Sequence, residues 1–101
     1  MKEYHPIIKK ITEANPDTYV IFFEYRCPYS MRALNLLKEK NAKYKGYDIT
    51  TIKGEMSKLL EVLNENLSLI EFNPNHRTKP IIFLNNKFIG GYNELYNYLT
   101  K

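Results

Sequence analysis

The chain has 101 residues, of which 44% are hydrophobic and 14% aromatic, and carries a net charge of +4. That length suits one domain, taken here as residues 1–101, and the apolar content excludes a disordered chain. The mild basic excess fits a small anionic ligand; without a Lys/Arg block, zinc-finger spacing or aromatic RNA-reading signature, no nucleic-acid partner is expected.

The first six residues, Met1-Lys2-Glu3-Tyr4-His5-Pro6, contain no apolar stretch of signal-peptide type. Ile7, Ile8, Ile11 and Ala14 then recur at helical spacing, and Asn15-Pro16-Asp17 ends that N-terminal helix within residues 1–16. Thr18 to Tyr25 is a nearly continuous run of apolar, β-branched and aromatic residues, as expected of a strand buried on both faces. Its apolar centre, Tyr19 to Phe23, is too short to cross a membrane, and no membrane contact is expected. After Arg26-Cys27-Pro28-Tyr29-Ser30, the residues Met31, Leu34 and Leu37 set a helical period, with Pro28 in the first turn where its missing N–H costs nothing.

Lys43 to Thr50 reads as a second strand, and Met56, Leu59, Leu60 and Leu63 define an amphipathic helix over Lys53–Asn66. Ile81–Leu84 and Lys87–Ile89 flank Asn85-Asn86, a pair that tolerates the positive φ of a type I′ hairpin turn. After Gly90-Gly91, a closing helix is marked by Tyr92, Leu95, Tyr96 and Leu99. The order α-β-α-β-α-β-β-α predicts an α/β fold of thioredoxin-like type, a four-stranded mixed sheet flanked by helices, with the core in residues 18–100.

The chemistry centres on Cys27, the single cysteine. A lone cysteine is ordinarily a small buried hydrophobe. This one sits between a buried strand and a helix, at the helix N-terminus, where unpaired N–H groups and the macrodipole favour a thiolate. Arg26 beside it adds charge of the same helpful sign. No internal disulfide can form, so a soluble, cytoplasmic protein in a reducing compartment is expected. His5 and His76 have no partners at metal-ligand spacing, and no metal is expected.

Cys27-Pro28-Tyr29-Ser30, followed by Arg32-Ala33, resembles the Cys-Pro-Tyr-Cys motif of glutaredoxins with serine in place of the second cysteine. Arg77-Thr78-Lys79-Pro80 is similar to that family's Thr-Val-Pro segment, and Gly90-Gly91-Tyr92-Asn93-Glu94-Leu95 to its Gly-Gly-aromatic-x-Asp-Leu turn. The resemblance runs from about Thr18 to Leu99 and implies a glutathione-dependent thiol–disulfide oxidoreductase. It also implies a glutathione site. Cys27 would hold the mixed disulfide, Pro28 would belong to the glutathione site and Tyr29 would wall the groove. Arg77, with Arg26, would face the glycine carboxylate. Thr78 and Lys79 would lie along the cysteinyl unit, which the Lys79 backbone would pair, with Pro80 cis and fixing the loop. Gly91, Tyr92, Asn93 and Glu94 would surround the γ-glutamyl end at a helix N-terminus.

Besides Ser30, three positions depart from the family. Glu24 stands where many members carry a basic residue three places before the cysteine. Lys79 replaces valine, and Glu94 replaces aspartate. Ser30 cannot form a disulfide, so the resemblance implies monothiol exchange with glutathione as co-substrate and glutathionylated proteins or small disulfides as partners. Ser30 is either natural or a replacement of a resolving cysteine, and the absence of any other cysteine inclines toward the second. A monomer is expected. Two other readings stay open: a glutathione- or protein-binding module without turnover, and a carrier of an iron–sulfur cluster shared between subunits, which Pro28 after the cysteine disfavours.

Overall fold

The structure, a computed structural model, describes residues 3–101. Met1 and Lys2, part of the N-terminal stretch read above, lie outside the described residues. The elements are α1 (Pro6–Thr12), β1 (Tyr19–Phe23), α2 (Pro28–Glu39), β2 (Tyr44–Asp48), a 3₁₀ turn (Ile49–Thr51), α3 (Glu55–Asn64), α4 (Leu67–Ile70), β3 (Ile81–Leu84), β4 (Lys87–Gly90) and α5 (Tyr92–Leu99). The strands form one mixed sheet in the order β2-β1-β3-β4. β1 pairs parallel to β2 and antiparallel to β3, and β3 pairs antiparallel to β4.

Every residue of β1 is buried, because the strand is interior and covered on both faces. Alternation along it sorts side chains between two cores. Val20 and Phe22 join Ile8, Ile11, Leu59, Leu63 and Phe83 under α1 and α3. Ile21 and Phe23 join Ala33, Leu37, Ile82 and Leu95 under α2 and α5. This two-sided burial fixes the register: sliding β1 by one residue would exchange the two sets of side chains.

The structure shortens several predicted elements for local reasons. β1 stops at Phe23 instead of Tyr25, because the Glu24 N–H donates to Ser30 Oγ (3.2 Å) and its carbonyl accepts from the Cys27 N–H (3.0 Å). No ladder hydrogen bond is then left for residue 24. α1 ends at Thr12, two residues before Ala14, which lies beyond the helix yet still packs against the core. α3 begins at Glu55, because Gly54 adopts φ +89° and the Glu55 N–H closes a turn onto the Ile52 carbonyl. β2 ends at Asp48, whose carboxylate accepts from the Thr50 N–H (2.9 Å) and caps the 3₁₀ turn. The single turn α4 has no counterpart in the predicted elements.

The hairpin turn forms as expected, with positive φ at Asn85 (50°) and Asn86 (70°). Asn85 Oδ1 also accepts from the Asp17 N–H (2.8 Å), tying the hairpin to the loop that feeds β1.

Candidate active site

Three segments converge at one end of the sheet. The first is the β1–α2 loop. Cys27 is the N-cap residue of α2 and its side chain makes no capping bond to the helix, while Pro28 fills the first helical position. The Cys27 carbonyl accepts from the Met31 N–H (3.1 Å), so the cysteine is anchored through its backbone and its sulfur remains available. Ser30 is fully buried behind it, and its hydroxyl oxygen accepts the Glu24 N–H.

The second segment leads into β3. Lys79-Pro80 is a cis peptide. The Lys79 carbonyl lies 3.8 Å from Cys27 Sγ, within hydrogen-bonding range of the thiol. The Lys79 ammonium reaches Glu24 Oε2 at 2.8 Å, so two of the residues that depart from the resembled pattern form an ion pair. Their side chains are only 26% and 21% exposed.

The third segment is the β4–α5 junction. Gly90 has φ +127°, and a Cβ there would lie 2.5 Å from Glu94 Cγ and Oε1. Glu94 folds back so that Oε1 accepts from the Gly91 N–H at 2.8 Å, which fixes the start of α5.

Between these segments lies a groove of about 240 Å³ lined by Tyr29, Thr78, Lys79, Pro80, Gly91, Tyr92, Asn93, Glu94 and His76. The Tyr29 ring stands 6.3 Å from that of Tyr92, and the Arg32 guanidinium lies 5.3 Å from the Tyr29 centroid. The groove thus has aromatic walls, a thiol at its edge and the N-terminus of a two-turn helix at one end.

Of the residues assigned to the glutathione site by resemblance, Tyr29, Thr78, Lys79, Pro80, Gly91, Tyr92, Asn93 and Glu94 line the groove, Cys27 sits at its edge through the Lys79 carbonyl, and Arg26, Pro28 and Arg77 do not line it. Arg26 instead lines a separate cavity with Glu24, Tyr25, Asp48, Thr50 and Glu55. Arg77 is exposed and is not among the lining residues. Pro28 is exposed at the helix start and also lies outside the lining. His76, which the sequence marks only as a histidine without metal-ligand partners, also lines the groove. Its Nε2 is 3.3 Å from the Pro80 carbonyl, and its ring packs against Phe88 at 5.0 Å. The signal was its place beside the Arg77–Pro80 segment, which carries any side chain at 76 to the same rim. Among the described residues no group of His, Cys, Asp and Glu could hold a metal ion, and no helix is long and apolar enough to cross a membrane.

The glutaredoxin family model matches residues 19–89, from the first residue of β1 to the middle of β4. The chain belongs to the glutaredoxin family. Over 94 residues it is 53% identical to a probable glutaredoxin of Acanthamoeba polyphaga mimivirus, covering 93% of this chain and 89% of that one. Among solved structures it resembles the holo form of glutaredoxin C1 from Populus tremula x tremuloides, with TM-score 0.68 and 23% identity over 90% of this chain and 79% of the other. It also resembles a buckwheat glutaredoxin–glutathione complex, with TM-score 0.67 and 22% identity over 89% and 72% of the two chains. At these identities the structural likeness is one of fold, and the fold is the thioredoxin-like glutaredoxin arrangement.

Proposed function

We propose that this glutaredoxin is a glutathione-dependent oxidoreductase that reduces glutathione mixed disulfides through Cys27 alone. The observation that carries the reading is the placement of the single thiol. Cys27 Sγ sits at the N-terminus of α2, facing the Lys79 carbonyl at the rim of the groove, while the position of a resolving cysteine holds buried Ser30.

The chemistry runs in two exchanges. The Cys27 thiolate attacks the glutathione sulfur of a mixed disulfide; that S–S bond breaks, and the other thiol leaves as a thiolate that takes a proton from solvent. A Cys27–glutathione disulfide remains. A second glutathione thiolate then attacks the glutathione sulfur of that disulfide, releasing oxidised glutathione and the Cys27 thiolate. One mixed disulfide and one glutathione become one free thiol and one oxidised glutathione. The same Cys27 thiolate attacks in the first step and is the leaving group of the second.

In this reading the bound glutathione lies along the groove. The Lys79 backbone pairs with its cysteinyl unit, and the free N–H groups at the start of α5 receive the γ-glutamyl carboxylate near Asn93 and Glu94. Tyr29 and Tyr92 cover its apolar stem. Arg77 and Arg26 can approach its glycine end only by moving from their positions outside the groove. A reducing, cytoplasmic setting would supply the glutathione. The test is steady-state reduction of a small glutathione mixed disulfide with free glutathione as the sole reductant. Turnover by the wild type, lost in Cys27→Ser, supports the reading; equal rates with and without the protein contradict it.

A further inference from the structure

Glu24 and Lys79 both touch Cys27 through their backbones. The Glu24 carbonyl accepts the Cys27 N–H at 3.0 Å, and the Lys79 carbonyl faces the sulfur at 3.8 Å. Their side chains join at 2.8 Å and are much less exposed than the other two ion pairs among the described residues, Lys58–Glu61 and Lys87–Glu71. Such a pair is screened less by salt than a surface bridge.

Each partner of the pair also lines a different cavity. Lys79 lines the groove of about 240 Å³, and Glu24 lines the neighbouring cavity of about 450 Å³ together with Tyr25, Arg26, Asp48, Thr50 and Glu55. On the groove side the charged residues are Lys79 and Glu94, and the Glu94 carboxylate is engaged by the Gly91 N–H. On the far side three carboxylates face one guanidinium. The groove lining thus balances one cation with one anion, the second cavity carries an excess of carboxylates, and the ion pair joins a lining residue of each.

We propose that the Glu24–Lys79 pair is a specificity-determining element that orders the two halves of the substrate by charge. Anionic glutathione is taken on the Lys79 side, and the glutathionylated cysteine is favoured when basic residues of its peptide flank it and can face Glu24. The inference rests on the proposed function and adds the class of protein substrate: thiols in a cationic sequence setting. Glu24 acts through charge, so its effect falls on encounter and binding more than on bond exchange.

The test uses matched glutathionylated peptides with Lys, Gln or Glu on both sides of the modified cysteine. At low salt, kcat/KM falls in the order Lys, Gln, Glu over a span of about tenfold, carried mainly by KM and compressed by added salt. Glu24→Gln narrows the span to about twofold. The double swap Glu24→Lys with Lys79→Glu keeps a bridge but inverts the order, whereas a purely structural bridge would restore the wild-type order. A flat series in the wild type, or a series that Glu24→Gln leaves unaltered, overturns the proposal. If no peptide is reduced and no glutathione adduct forms, the oxidoreductase reading itself fails. The charge claim is then read from alkylation of Cys27: the iodoacetate-to-iodoacetamide rate ratio rises about threefold in Glu24→Gln, and an unchanged ratio overturns it.

Discussion

The Cys27 sulfur lies 3.8 Å from the carbonyl oxygen of Lys79, a residue fifty-two positions further along the chain. Antiparallel pairing of β1 with β3 makes that approach possible, because it sets the end of β1 beside the start of β3, Phe22 opposite Ile81. The nucleophile and the loop that faces it are thus held by the most buried strands of the sheet. The reactive end of the molecule inherits the rigidity of its core.

The buried Ser30 hydroxyl has a structural duty in the β1–α2 loop. Ser30→Ala removes the acceptor of the Glu24 N–H and leaves that donor without its partner at a part-buried site. The expected cost is about 1–3 kcal/mol in urea unfolding, with the denaturant slope unchanged.

Ser30→Cys has a different consequence. It places a second thiol one helical turn after Cys27 and completes a Cys-x-x-Cys sequence. Brief exposure to oxidised glutathione should then yield an internal disulfide, seen by intact mass as the loss of two hydrogens, with the glutathione adduct only transient. A stable glutathione adduct in this variant would show that the buried position cannot reach Cys27.

Much of this architecture was legible because burial writes itself into periodicity. The continuous apolar run of β1, the three-residue spacing of Met31, Leu34 and Leu37, and Asn85-Asn86 between two short strands each have one economical reading. The missed features depend on contacts between distant residues. The end of β1 is decided by Ser30 taking the Glu24 N–H, which no local pattern announces. α4 is a single turn, too short for a period to show. Glu24 and Lys79 each depart from the family pattern in sequence, but their pairing spans fifty-five positions and is visible only in three dimensions. The assignments of Arg26 and Arg77 to the groove follow from the resemblance, whereas the loop places Arg26 with Glu24 at a separate cavity and Arg77 lies outside the groove lining.

Gly90 is the glycine that the site cannot exchange. Its φ of +127° and the 2.5 Å approach of Glu94 to a would-be Cβ mean that Gly90→Ala must displace the carboxylate that fixes the start of α5. A loss of about 1–3 kcal/mol is expected in chemical denaturation. Weaker glutathione binding should accompany it in calorimetric titration.

Alkaline stability should depend on Tyr19. Burial, reinforced by Tyr98 and Asp17, raises its pKa above the usual tyrosine value. The folded chain therefore holds this proton more tightly than the unfolded chain. The contribution is complete below about pH 10 and is lost as pH rises through the folded-state value, because the unfolded chain ionises first. Unfolding free energy measured from pH 9 upward should fall more steeply in the wild type than in Tyr19→Phe, where this slope is absent. Identical slopes would contradict the assignment.

The central claim is that Cys27 alone carries a glutathione through a reversible mixed disulfide, and intact-mass analysis tests it most directly. The protein is treated with oxidised glutathione, freed of excess reagent, and then given reduced glutathione. The account predicts one glutathione adduct per chain, absent in Cys27→Ser, that reduced glutathione removes to regenerate the starting mass. A Cys27 that takes up no glutathione, or an adduct that reduced glutathione cannot release, would contradict it.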